Sequence, residues 1–321
     1  MRILVAILAL AASAAFAQPT AEQTLSAVVG VSAKIVAGAR SAATLGTERR
    51  GSGALIREQY VLTIGYLVME AQAVEVTSSA GRTVPATLAA FDHASGFGLL
   101  KLAAPLGGTP LALGDSAALG DNDPAMVISA PGREGASLVR VVSRRPFSGS
   151  WEYMLDSAIF TYPAVPEWSG APLIGPRGEL LGIGSLIVAD ADGRGTQAPG
   201  NLFVPVDLLA PILSDLIAKG RRSSSPRPWL GVNADELRGR LFVSRVSPDG
   251  PAERAGLRAD DIVLAVGGDE VRTLAEFYAR IWSRGAAGVD VPLRVLRGAQ
   301  VRSLTVRSID RVEYFKGSTT H

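Results

Sequence analysis

Gly51-Ser-Gly-Ala-Leu-Ile-Arg-Glu-Gln-Tyr-Val-Leu-Thr-Ile-Gly-Tyr-Leu-Val-Met-Glu70 holds two short apolar runs, Gly53–Arg57 and Val61–Ile64, with polar residues between them. Runs of this length, rich in Leu, Ile and Val and closed by polar or glycine punctuation, read as a β-hairpin and not as helix. The pattern continues outward from about Ala27 to Val206. Further candidate strands are Ser32–Ala37, Ala73–Thr77, Thr87–Phe91, Gly98–Leu102, Ala125–Ile128, Val139–Ser143, Ala158–Thr161, Pro172–Ile174, Leu180–Leu186 and Leu202–Pro205. A dozen strands divide naturally into two six-stranded barrels, so this part of the chain is mainly β. Asp207 then opens an apolar helix over Leu208–Ala218 that stops at Gly220.

The 321 residues leave room for two packed domains with a leader and a linker. Residues 1–17 join one arginine to a short apolar run ending Ala15-Phe16-Ala17, which reads as a secretory signal peptide cleaved before Gln18. An uncleaved membrane anchor is the alternative, against which the shortness of the run argues. The mature chain is therefore expected in the bacterial periplasm or secreted. Cysteine is absent, which removes disulfides, thiol chemistry and thiolate metal sites. The formal net charge is +2 and the arginines are scattered, so nucleic acid is not an expected partner. No phosphate loop, His-Glu-x-x-His run or calcium loop is present, and no cofactor or metal is expected. Asp190-Ala-Asp192 runs out of ligands after two carboxylates and reads as a polar hairpin tip.

Gly220 to Pro228 carries Ser, Arg and Pro without apolar period and reads as a solvated linker. A second unit, residues 229–310, opens with Trp229-Leu-Gly-Val and contains Ser247-Pro-Asp-Gly-Pro-Ala-Glu-Arg-Ala-Gly-Leu-Arg-Ala-Asp-Asp-Ile-Val-Leu-Ala-Val-Gly-Gly268. Leu274, Phe277, Tyr278 and Ile281 form one apolar stripe of a helix behind Thr273. Val289–Leu296 and Val301–Val306 form a closing hairpin, and residues 311–321 are expected to be a disordered tail.

The words from Ser247 to Gly268 resemble the PDZ domains of bacterial HtrA (Deg) proteases, with Asp260 standing where that family has glycine. Residues 18–219 resemble the trypsin-like protease domain of the same family. The resemblance implies a double β-barrel followed by an α+β PDZ domain. It also implies a peptide groove in which backbone amides of Trp229, Leu230, Gly231 and Val232 receive a terminal carboxylate, with Leu230, Val232, Phe277 and Ile281 lining an apolar pocket. Its ligands would be C-terminal or unfolded protein segments, and relatives of this kind imply a homo-trimer or an assembly with an active relative.

Serine acyl transfer needs a hydroxyl, a base and donors for the oxyanion. Ser169 falls at the family's nucleophile position. Tyr66 stands where the family has its histidine, and Gly96 where it has its aspartate. Glu167, Trp168 and Ala171 replace small residues around the nucleophile, which is expected to disturb the oxyanion loop. The chain has only two histidines. His93 reads as an exposed loop residue and His321 ends the chain. Lys101, at the end of a strand, is expected to face solvent. The sequence thus implies a catalytically inactive, peptide-binding member of the family. The competing reading is an HtrA-type serine endopeptidase that works through a non-standard base or a partner.

Overall fold

The computed structural model describes residues 19–130 and 132–316. The residues read as a signal peptide, 1–17, and His321 lie outside them. Within this range the twelve expected strands form, mostly longer than the apolar runs that announce them. Six build the first closed barrel: β1 (Val28–Ile35), β2 (Glu48–Arg57), β3 (Tyr60–Ile64), β4 (Ala71–Ser78), β5 (Thr83–Phe91) and β6 (Phe97–Leu102), ordered β1-β2-β3-β6-β5-β4. The second holds β7 (Pro124–Ile128), β8 (Ala136–Gly149), β9 (Tyr153–Tyr162), β10 (Pro172–Ile174), β11 (Leu180–Val188) and β12 (Gly200–Pro205), ordered β10-β11-β12-β9-β8-β7. Closure leaves no unpaired sheet edge in either barrel.

The apolar runs that the sequence offers are realised as burial. In β3 the run Val61-Leu-Thr-Ile64 is wholly buried, and Val29, Ala54, Leu62 and Leu99 lie in one apolar cluster that continues into the second barrel through Phe160, Ile183 and Leu202. At roughly 25 cal/mol per Å² of apolar surface, burial on this scale is the main force holding the two barrels together.

The second unit forms a sheet ordered β13-β14-β15-β17-β18, from β13 (Val232–Leu237), β14 (Arg240–Val246), β15 (Ile262–Val266), β17 (Asp290–Arg297) and β18 (Gln300–Arg307), with the short β16 (Asp269–Glu270) paired to β15. The helix Leu274–Trp282 packs across it. Thr273 caps this helix by accepting from the Glu276 amide while the Glu276 side chain returns to the Thr273 amide. Leu274, Phe277, Tyr278 and Ile281 are all buried, so the stripe is core.

Three local expectations are corrected. The tail is not disordered where the structure describes it: Arg311–Lys316 is helical, and Tyr314 is buried against Trp229 at 4.6 Å between ring centroids. Aromatic burial supplies the order that a polar tail would lack. The linker is not simply solvated, because Arg222 forms two hydrogen bonds to buried Asp92, and Arg227 lies 4.3 Å over the Trp282 ring. The helix expected over Leu208–Ala218 divides into a 3-10 turn, Val206–Leu208, and a helix, Leu213–Lys219. Asp207 does not cap it, since its carboxylate accepts from the amide and hydroxyl of Ser116 instead.

Candidate functional site

Ser169 sits in a turn that is fastened to β2 by its own backbone. Its carbonyl accepts from the Ser52 amide at 2.8 Å, and the next residue, Gly170, takes φ +70°, where an added Cβ would lie 2.1 Å from the Ser52 carbonyl oxygen. Only glycine fits there. Tyr66 is held from the other side. Buried Arg49 donates to the Tyr66 carbonyl at 2.6 Å and to that of Met69 at 3.1 Å, which pins the turn after β3.

The two side chains meet. Tyr66 Oη lies 2.9 Å from Ser169 Oγ and 2.9 Å from the Ser185 carbonyl oxygen. A carbonyl can only accept, so the phenol proton goes to Ser185 and the Ser169 hydroxyl donates to the phenol oxygen. The nucleophile position thus points its proton at an un-ionised phenol. Burial pushes the Tyr66 phenol above its ordinary value, against hydrogen bonds with Ser169 and Trp168 that pull the other way. With a reference pKa of about 10, phenolate would be on the order of one part in a thousand near neutrality even without that shift. Trp168 closes the site by donating its indole N–H to the same Ser185 carbonyl at 3.3 Å.

Gly96 has φ +85°, and a Cβ placed on it would come within 3.2 Å of Tyr153 Oη. Tyr153 donates to the Ser95 carbonyl at 2.7 Å, so a buried phenol occupies the space beside the acid position. Glu167 is exposed and is not among the residues with positive φ. Its backbone therefore takes an ordinary conformation at the place where the resemblance implied a glycine.

His93 is corrected from an exposed loop residue to a packed one. It lies 4.0 Å from Phe91 and 6.0 Å from Phe315, ring to ring, and burial, then Arg311, holds its imidazole well below the usual histidine range. Lys101 is exposed at the outer face of β6. Asp192 uses its carboxylate on the Arg194 amide and the Thr196 hydroxyl, within its own loop.

The groove of the second unit holds a feature that the sequence reading missed. The β8–β9 hairpin tip reaches across the domain boundary, and Glu152, buried at φ +55°, inserts its carboxylate into the Trp229–Val232 loop. Glu152 Oε1 accepts from the amides of Gly231 at 2.7 Å and Val232 at 2.9 Å, and Oε2 from Leu230 at 3.0 Å. Trp229 is not one of these donors: its amide goes to the Ile309 carbonyl at 3.1 Å. Phe277 and Ile281 lie with Leu230 and Val232 in the core behind the loop, and Met154 of β9 packs against that core. Burial pushes the Glu152 carboxyl up, and the three amides together with Arg311 oppose the rise. The signal available in the sequence was a lone carboxylate between Trp151 and Tyr153, in a stretch otherwise aromatic. Between the two units lies a cavity of about 680 Å³, lined among others by Tyr66, Gly96, Trp168, Asn233, Arg245 and Tyr314.

Two closed barrels carrying a serine turn, followed by a sheet-and-helix unit with an amide-lined loop, define a trypsin-like protease domain joined to a PDZ domain. Family profiles agree: the trypsin-like peptidase domain matches residues 51–183 and the PDZ domain residues 228–307. The chain belongs to the HtrA family. It is 30% identical over 287 residues to the putative serine protease HhoA of Synechocystis, covering 81% of this chain and 70% of that one. It is 29% identical over 276 residues to a probable periplasmic serine protease do/HhoA-like of Haemophilus influenzae, covering 80% of this chain and 57% of the relative. With DegQ of Escherichia coli the identity is 29% over 269 residues, 79% of this chain and 58% of the relative. The match thus spans little more than half of several curated relatives. Among solved structures, HtrA-type protease AlgW with tripeptide superposes with a TM-score of 0.54 at 22% identity, covering 91% of this chain and 97% of that one. No helix among the described residues is long and apolar enough to cross a membrane.

Proposed function

We propose that this chain is a catalytically silent HtrA-family protein of the bacterial envelope, which acts by binding the C-terminal ends of other polypeptides in its PDZ groove. The observation that carries the reading is the hydrogen bond from Ser169 to Tyr66, whose own proton is committed to Ser185. Acyl transfer requires that the attacking oxygen lose its proton as the tetrahedral intermediate forms. A neutral phenol could take that proton only by becoming an oxonium, and the phenolate is suppressed by burial. In subtilisin, loss of the histidine alone lowers kcat by roughly 10⁶-fold, because the triad acts as a unit. Here Gly96 leaves the acid position without a carboxylate as well.

The binding half of the proposal rests on the convergent amides of Leu230, Gly231 and Val232, which all donate to one carboxylate, that of Glu152, as they would need to for a chain terminus. Periplasmic location is supported by the names of the relatives and by the leader-like first residues. Holding misfolded chains, or adjusting an active relative in a mixed assembly, are the roles open to a protein with such a groove and no working triad.

Two measurements test this. Casein incubated with the wild type and with Ser169→Ala is expected to remain equally intact. A fluorescent peptide with an apolar last residue and a free carboxylate is expected to bind, and amidation of its terminus to weaken binding. Casein loss that depends on Ser169 overturns the silent reading, and indifference to amidation removes the peptide reading.

A further inference from the structure

We infer that the PDZ groove is occupied in the resting protein by this chain's own β8–β9 hairpin, with Glu152 standing in for a terminal carboxylate, so that an incoming peptide binds only by displacing it. The inference builds on the peptide-binding reading above but concerns what fills the site before a ligand arrives.

The hairpin imitates a bound peptide at several points at once. The Glu152 carboxylate takes three amides of the loop that opens β13. Two residues earlier, the Ser150 carbonyl accepts from the Ala234 amide of β13 at 3.0 Å, a main-chain bond of the kind that adds a strand to a sheet edge. One residue before that, the Gly149 carbonyl accepts from Tyr278 Oη at 2.7 Å, on the helix that faces β13 across the groove. Tyr278 Oη in turn accepts from the Glu152 amide at 3.2 Å. Met154, further along the hairpin, packs against the PDZ core. Arg311, from the helix after the PDZ domain, donates to the Trp151 carbonyl at 3.2 Å and supplies a positive charge facing Glu152.

A surface crossing of a loop needs none of this. A buried carboxylate costs free energy unless its lone pairs are met, so an incidental contact would leave Glu152 in water. Its left-handed backbone is a conformation that side chains other than glycine adopt reluctantly, and it turns the carboxylate inward. The same hairpin also touches the protease half. Tyr153, the next residue, stacks on Trp151 at 5.8 Å and donates to the carbonyl beside Gly96. Release of Glu152 therefore loosens a wall of the cavity that Tyr66 and Trp168 share. Groove occupancy and access to that cavity are linked through one short segment.

When the binding-competent state is a minor one, the apparent affinity falls by the fraction that is competent. The test uses full-length protein and Glu152→Gly, which removes the carboxylate while glycine accepts the left-handed turn without strain. Binding of a fluorescent peptide with an apolar last residue is read by anisotropy, and hydrogen exchange is read at Leu230, Gly231 and Val232 without peptide. The expected results are an affinity tighter by roughly tenfold or more in the variant, and faster exchange of those three amides. Equal affinity, or amides exchanging as in the wild type, overturns the plug and leaves peptide binding standing. Freed amides with no binding by either protein uphold the plug and remove the peptide reading.

Discussion

Restoring the two missing triad members should damage this protein more than it awakens it. In the double variant Tyr66→His, Gly96→Asp, the aspartate enters a backbone at φ +85° with its Cβ 3.2 Å from Tyr153 Oη. A side chain in the left-handed region costs about 1–2 kcal/mol. The new carboxylate also joins Asp92, which already raises the Tyr153 phenol through its charge after burial has done so, and half-burial of a second carboxylate there adds roughly 1–2 kcal/mol. Loss of the Tyr66 hydrogen bonds to Ser169 and Ser185 contributes about 1 kcal/mol more. The sum is near 4 kcal/mol. With a urea slope of about 3 kcal/mol per molar for a chain of this size, the unfolding midpoint should fall by about 1 M. Casein hydrolysis should stay at background, because Glu167 and Trp168 still shape the serine turn. A midpoint equal to wild type, together with Ser169-dependent casein hydrolysis, would refute the argument that these positions have been rebuilt around the missing groups.

Arg297→Ala should lower the thermal midpoint of the PDZ domain near neutral pH, since it strands buried Asp261, which Arg297 grips at 2.6 and 2.7 Å. Burial pushes Asp261 up, but the Arg297 hydrogen bonds and the Arg258 amide outweigh it and hold it below the ordinary value. Its stabilisation is therefore present above the ordinary carboxylate value near 4 and lost as pH falls through the depressed one, so the gap between wild type and variant should narrow on acidification. A gap that widens in acid contradicts this. Asp260→Gly, at φ +69°, should raise the thermal midpoint, with a gain of roughly 0.5–1 kcal/mol from released backbone strain. A lowered midpoint would mean that the aspartate serves a purpose beyond filling the turn.

Most of the architecture was readable from apolar spacing. Short Leu- and Val-rich runs became closed-barrel strands because several of them, Val61–Ile64 and Gly200–Pro205 among them, are buried at every position and reward a nearly unbroken apolar run, and Pro172–Ile174 formed with the bounds that its sequence announces. The juxtaposition of Ser169 with Tyr66 was implied by the family frame and is present as a direct contact. What could not be read depended on distant partners. The tail helix is ordered by Trp229 and by the contact of Arg40, 4.1 Å over the Tyr314 ring, and neither leaves a mark within residues 311–316. His93 is packed between Phe91, two residues away, and Phe315 from the far end of the chain, and only the second of these is out of reach of a local reading. Glu152 stands in the sequence only as a carboxylate between Trp151 and Tyr153, because nothing local discloses that β8 and β9 project far enough to meet the PDZ loop.

The central claim is that Ser169 lacks a base, and its reactivity tests that most directly. Full-length protein and Ser169→Ala should be treated with excess fluorophosphonate across neutral to mildly alkaline pH, and the intact masses compared. The two proteins are expected to give the same masses, apart from the substitution itself, with no adduct at Ser169 in the wild type. A stoichiometric adduct that appears in the wild type near neutrality and vanishes in Ser169→Ala would contradict the claim.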